Sequence, residues 1–180
     1  MDQSLITKKV IAYSFKNLMN KMSFAKITVS DIMKQADLRR QTFYYHFQDK
    51  YELIEWIYKT ESQENIRDFI DYERWDSILE YIFVYFYREQ DFYRNALLLY
   101  EQNSFSRSLF ENLQDLYLEI LNDESFTNAE YTDKRKVFLA RFLSHGMVGT
   151  LIEWIESGCK TPHKEIADNL YLHLLDICGK

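Results

Sequence analysis

Between Arg39 and Lys50 the chain reads Arg-Arg-Gln-Thr-Phe-Tyr-Tyr-His-Phe-Gln-Asp-Lys, a stretch dense in hydrogen-bonding side chains. Phe43 and Phe47, four residues apart, give a helix here one narrow apolar stripe, while Arg40, Gln41, Thr42, Tyr44, Tyr45 and His46 occupy its other faces. A helix that buries so little turns its donors outward. The chemistry those donors suit is nucleic-acid recognition: Arg pairs bidentately with guanine, Gln does so with adenine, and each good pair discriminates by about 1–3 kcal/mol. A lysine such as Lys50, at the start of the next helix, offers sequence-independent, salt-sensitive affinity for phosphate.

Such a helix needs a brace. Thr28-Val29-Ser30-Asp31 reads as a capping box, with Asp in place of the usual Glu or Gln, and opens a helix of about two turns ending near Ala36. Asp37, Leu38 and Arg39 then separate it from the polar helix. Two short helices joined by about three residues, the second polar and basic, make a helix-turn-helix, which sets its second helix in the major groove. Upstream, the spacing predicts a helix from Ser4, its cap, to Met22, with Ile11, Phe15, Leu18 and Met22 on the inner face. Downstream, Asp49 with Glu52 caps a longer helix through Leu53, Ile54, Trp56 and Ile57 towards Ile66 and Ile70, tying this head to a body.

Composition agrees with an all-helical chain. Four Gly and one Pro in 180 residues are too few turn formers for a β-sandwich or barrel. Residues 1–50 carry 7 Lys and 2 Arg against 4 Asp, a balance of +5, whereas the remainder carries 13 basic and 24 acidic side chains, a balance of −11. A basic head on an acidic body points to a polyanion-binding module. Cys159 and Cys178, far apart in helical patterns, read as reduced thiols of a cytoplasmic protein, and no apolar run is long enough for a membrane span or secretory signal. There is no Gly-rich phosphate loop, no Cys-x-x-Cys and no His-Glu-x-x-His, so no enzyme, cofactor or metal is expected. His163 and Glu165, two apart, point to different helix faces, and His173 lies ten residues from the first.

Thr28-Val29-Ser30-Asp31-Ile32, Ala36, Arg40-Gln41-Thr42-Phe43-Tyr44-Tyr45-His46-Phe47 and Asp49-Lys50-Tyr51-Glu52-Leu53 resemble the DNA-binding signature of the TetR family of bacterial transcriptional regulators. Ser30-Asp31-Ile32-Met33, Arg39-Arg40-Gln41-Thr42-Phe43-Tyr44, Glu55-Trp56-Ile57 and Asp91-Phe92-Tyr93-Arg94 are further similar to the regulators of dihydroxyacetone kinase operons. The wider resemblance implies a three-helix DNA-binding domain over residues 1–50, a helical regulatory and dimerisation domain over 51–180, and a homodimer on a palindromic operator. It implies that Thr28 and Ser30 lie near phosphate or groove edge, that Arg40, Gln41, Thr42 and Tyr45 face bases, and that Tyr44, His46 and Lys50 grip phosphates. The narrower one implies an activator controlled by a kinase-like co-regulator protein; the alternative is a repressor released by a small apolar ligand. Three positions depart from the family: Met33 stands where a small residue is usual, Asp37 where Gly marks the turn, and Arg39 where Ser often caps, adding a cation beside the phosphates.

In the body, the pattern predicts helices over Asp76–Gln90, Phe92–Gln102, Ser104–Asn122, Thr132–Ser157 and Pro162–Cys178, with Gly158 as a stop and Thr161-Pro162 as a cap followed by proline at the first helical position. Tyr81 to Tyr87 is strand-forming by propensity, but its flanks favour helix, with Asp76 as cap. The last two helices are expected to pair with their copies through Leu151, Ile152, Ile155, Leu170 and Leu174, with Gly146 and Gly149 permitting close approach. A ligand pocket is expected among Tyr81, Phe83, Tyr85, Phe86, Tyr100, Phe138, Phe142 and His145, although rings at helical spacing equally describe core packing.

Overall fold

Nine helices follow one another among the residues described by a computed structural model of the chain, namely 3–62, 74–97, 104–124, 126 and 130–179. They are α1 (Gln3–Met19), α2 (Val29–Gln35), α3 (Arg40–His46), α4 (Lys50–Ser62), α5 (Trp75–Arg88), α6 (Gln90–Leu97), α7 (Ser104–Asn122), α8 (Asp133–Glu156) and α9 (His163–Cys178). The described residues include no strand, and none of their helices is long and apolar enough to cross a membrane. The chain divides into two compact units, Met1–Glu61 with Asp91–Phe105, and Ser62–Gln90 with Ser106–Lys180. Neither unit therefore ends at residue 50: α4 and α6 belong with the first.

In the first unit α1 packs on α2 and α3, with Ile11, Phe15, Met19, Ile32, Met33, Phe43, Leu53 and Ile57 sealed from solvent. Burying a side chain of this size stabilises by about 1.5–3 kcal/mol. The inner face of α1 differs from the expected one at its end: the helix stops at Met19, which is buried, and Met22 lies exposed beyond it. Ser4 sits inside the first turn rather than at its cap, because the helix already runs from Gln3. The gap between α1 and α2 holds a short 3-10 turn, Phe24–Lys26, whose Phe24 ring is buried edge-on to Phe15. Asn95 of α6 donates to the Met19 carbonyl at 2.9 Å, satisfying an orphan acceptor at the end of α1, and Lys16 pairs with Glu61 at 2.7 Å.

In the second unit α5 packs against α9 and α8. The segment from Tyr81 to Tyr87 is helical, as its flanks require: Ile78, Ile82, Tyr85 and Phe86 recur at helical spacing and are buried. Asp76 lies one residue inside the helix, which Arg74 precedes as cap without a side-chain bond. The end of α8 is a Schellman motif: Gly158 adopts φ 81°, its N–H donates to the Ile155 carbonyl, and that of Cys159 donates to the Trp154 carbonyl. Pro162 is the cap of α9 rather than its first helical residue, and the Thr161 carbonyl instead accepts from the Trp154 indole at 2.7 Å. Ile66, Ile70, Tyr100 and the end of the Phe92–Gln102 helix expected from the pattern lie outside the described residues.

Candidate DNA-reading face

The brace is local chemistry. Thr28 caps α2: its hydroxyl accepts from the Asp31 N–H at 3.2 Å and donates to the Asp31 carboxylate at 2.6 Å, which also accepts from the Thr28 N–H at 2.9 Å. These bonds, led by the side-chain one, hold the Asp31 carboxyl below its ordinary range. At the other end Asp37 takes φ 53°, letting its own N–H reach the Lys34 carbonyl at 3.3 Å and that of Leu38 reach the Met33 carbonyl at 2.9 Å. Asp tolerates this left-handed conformation better than most residues, so the turn forms without the glycine usual there. Met33 is fully buried, filling the space a smaller residue would leave.

Helix α3 has seven residues, and at about 100° per residue their faces separate cleanly. Phe43 is sealed in the core at 0% exposure, and Gln41 and Tyr45 straddle the opposite pole, Tyr45 being 84% exposed. Arg40 and Tyr44 share one flank, where the Arg40 Nη2 donates to the Tyr44 hydroxyl at 3.2 Å. Thr42 and His46, both half-buried, share the other, and the His46 ring meets Tyr45 edge-on at 5.1 Å. Arg39, the cap of α3, makes no side-chain cap bond and is exposed, as is Ser30 in the first turn of α2.

Two expected phosphate contacts meet a different geometry. The Lys50 ammonium donates to the Phe24 and Ile27 carbonyls at 2.7 and 2.8 Å and lies 4.0 Å from the centroid of the Phe24 ring. Burial lowers its pKa, and two of its three protons serve to tie the start of α4 to the connection before α2. Thr28 has likewise committed its hydroxyl proton to Asp31, leaving none for a phosphate, which at neutral pH has only acceptors to offer. Asp49 caps α4 as expected, accepting from the Tyr51 and Glu52 N–H groups at 2.8 and 2.9 Å, while Glu52 reaches back to the Gln48 N–H. The ammonium of Lys8 in α1 lies 5.4 Å from the centroid of the Phe47 ring, just past the end of α3, and 5.7 Å from that of Trp56 in α4, a placement that leaves no local signal in the sequence.

Comparison with known proteins decides the family. Residues 16–57 match the model of bacterial regulatory proteins of the tetR family, and residues 73–175 match that of a transcriptional regulator C-terminal region. The chain belongs to the TetR family. It is a DNA-binding transcriptional regulator and not an enzyme. It is similar to the HTH-type dhaKLM operon transcriptional activator DhaS of Lactococcus lactis subsp. lactis strain IL1403, at 36% identity over 143 residues, which are 79% of this chain and 75% of that protein. Among solved structures it resembles a dihydroxyacetone kinase operon activator DhaS, with a TM-score of 0.79 and 30% identity over 97% of each chain. A TetR transcriptional regulator from Streptococcus agalactiae 2603V shares the fold, with a TM-score of 0.68 and 24% identity over 98% of this chain and 95% of its own.

The body of this regulator departs from two expectations. Leu151, Ile155 and Leu174 are buried within the protomer, so they cannot form a seam between copies; Ile152 and Leu170 remain half-exposed. The expected pocket lining is dispersed: Phe83, Tyr85 and Phe86 are core residues and Tyr81 is half-buried, but Phe138 and Phe142 are 67% and 65% exposed and His145 faces solvent. Phe138 and Phe142 stack on each other at 6.5 Å, and the His145 ring lies tilted against that of Phe110 at 4.4 Å. No cluster of His, Cys, Asp or Glu that can hold a metal occurs among the described residues.

Proposed function

We propose that this TetR-family regulator works as a homodimer on a two-fold symmetric operator and controls a dihydroxyacetone kinase operon. The observation that carries the DNA-reading part is the outward flank of α3, hydrophilic around every face except that of Phe43 and Phe47. In this reading Gln41, Tyr45, Arg40 and Thr42 meet base edges, while Ser30, Arg39 and His46 meet phosphates. Thr28 and Lys50 hold the frame rather than the DNA.

The dimer rests on α8. Its buried residues Ala140, Ser144, Met147, Leu151 and Trp154 recur at spacings of four and three, and so do Phe138, Phe142, His145, Gly149 and Ile152 on the opposite face. A helix apolar on both sides is made to be covered on both. Gly146 and Gly149 have open space where a Cβ would stand, so nothing among the described residues requires them, although each costs about 1 kcal/mol against Ala. Close approach of a second α8 accounts for both, and two copies related by two-fold symmetry present α3 to two half-sites.

The operon assignment is supported by the two relatives whose names carry it. The resemblance to the narrower group implies a kinase-like co-regulator protein as the input, and the dispersal of the expected aromatic lining favours a protein input over an apolar ligand. Footprinting upstream of neighbouring genes tests the whole reading: two protected half-sites about one helical turn apart, or a multiple of it, beside a kinase gene support it. Protection that a small apolar molecule relieves, with no kinase gene nearby, supports the repressor reading instead.

A further inference from the structure

The free protein already holds one of its base readers in place. Arg40 and Tyr44 lie four apart on one flank of α3; the Arg40 Nη2 donates to the Tyr44 hydroxyl at 3.2 Å, and its guanidinium carbon is 5.8 Å from the centroid of the Tyr44 ring. The ring is itself braced, standing edge-on at 5.6 Å to Phe43, whose side chain is wholly buried. A chain of contacts thus runs from the core through Phe43 and Tyr44 to an exposed guanidinium. Arg39, one residue earlier, has no side-chain bond to the cap it occupies.

We propose that Tyr44 is a positioning residue for sequence reading: it fixes the guanidinium plane of Arg40 for a bidentate contact with a guanine edge, and its main role is not to grip phosphate. The inference rests on the DNA-reading face proposed above. Arginine carries large rotamer freedom, and a bidentate contact to N7 and O6 demands one orientation of its fork. A hydroxyl that takes a single one of the five N–H donors leaves the rest of the fork for the base. Ordering the side chain before binding removes a loss of freedom that would otherwise be taken from the specific contact alone, since a non-specific duplex does not require the orientation. Two adjacent arginines thereby acquire different duties, Arg40 as a held reader and Arg39 as a loose cation.

The test compares the wild type with Tyr44→Phe, Arg40→Ala and the double variant, each selected against a randomised duplex library whose bound fraction is sequenced at two salt concentrations. Tyr44→Phe keeps the ring and its packing, so thermal unfolding should be unchanged and confirms an intact fold. The expected result is a loss of roughly three- to tenfold in preference at the one base position that Arg40→Ala also relaxes, with no further loss in the double variant. A uniform weakening across all duplexes that persists beside Arg40→Ala identifies a phosphate grip and overturns the proposal, as does unaltered preference in Tyr44→Phe. If Arg40→Ala itself leaves every base preference unchanged, the base-reading role proposed for Arg40 is what fails, and it fails separately.

Discussion

Helices α3 and α8 both present aromatic rings to solvent, yet the rings differ. On α3 they are Tyr44 and Tyr45, each with a hydroxyl and set among Arg40, Gln41 and His46. On α8 they are Phe138 and Phe142, stacked on each other, neither ring with a polar atom, in a stripe that continues through His145 and Gly149 to Ile152. Exposure alone does not say what meets these surfaces. The polar atoms decide what: rings with donors suit a hydrated polyanion, and bare rings beside glycine suit another apolar helix.

The comparison breaks most sharply at Phe142. Phe142→Glu places like charges near the proposed two-fold axis, and sedimentation should show dimer dissociation strengthened by roughly 100-fold or more, with the helical signal of the protomer retained. Unchanged self-association would remove α8 as the seam. Lys50→Met tests the other helix's support. Losing two charge-assisted bonds to carbonyls in a partly buried site should destabilise the protein by about 2 kcal/mol in urea unfolding, while the salt slope of the DNA affinity of the folded protein stays unaltered. A slope reduced by about one would instead restore Lys50 as a phosphate contact. Tyr45→Ala should do the reverse, leaving stability within about 0.5 kcal/mol and lowering DNA affinity by roughly tenfold.

Two smaller effects concern the turn that aims α3. Asp37→Gly relieves an L residue at φ 53° and should stabilise by about 0.5–1 kcal/mol, read as a raised Tm. At Asp31 the sign follows from its depressed pKa: the capping contribution is present above the unfolded value of about 3.9 and is lost as pH falls through the lower folded value. Asp31→Ala should therefore be less stable than wild type at neutral pH, and the two unfolding curves should converge on acidification. A gap that is independent of pH contradicts an ionised cap.

The parts legible from sequence were those whose partners lie within a few residues. Thr28 with Asp31, Asp49 with Glu52, the left-handed Asp37 and the Gly158 stop are local arrangements, and Phe43 with Phe47 fixed which side of α3 faces inward. The bonds Lys50 makes were not legible, because its acceptors, Phe24 and Ile27, lie 26 and 23 residues away in a segment that periodicity leaves blank. On α8 the difficulty was of another kind. Two apolar stripes with the same spacing lie on opposite faces, and only the positions of neighbouring helices determine that Leu151 and Ile155 face the core while Phe138 and Phe142 do not.

The most direct test of the central claim is fluorescence anisotropy of a labelled, library-selected duplex titrated at low ionic strength with wild type and with a variant carrying both Gln41→Ala and Tyr45→Ala. The account predicts tight, salt-sensitive binding by the wild type, and for the folded variant an affinity no better for the selected duplex than for a scrambled one. Undiminished preference in the variant, or no binding by the wild type at any salt, contradicts it.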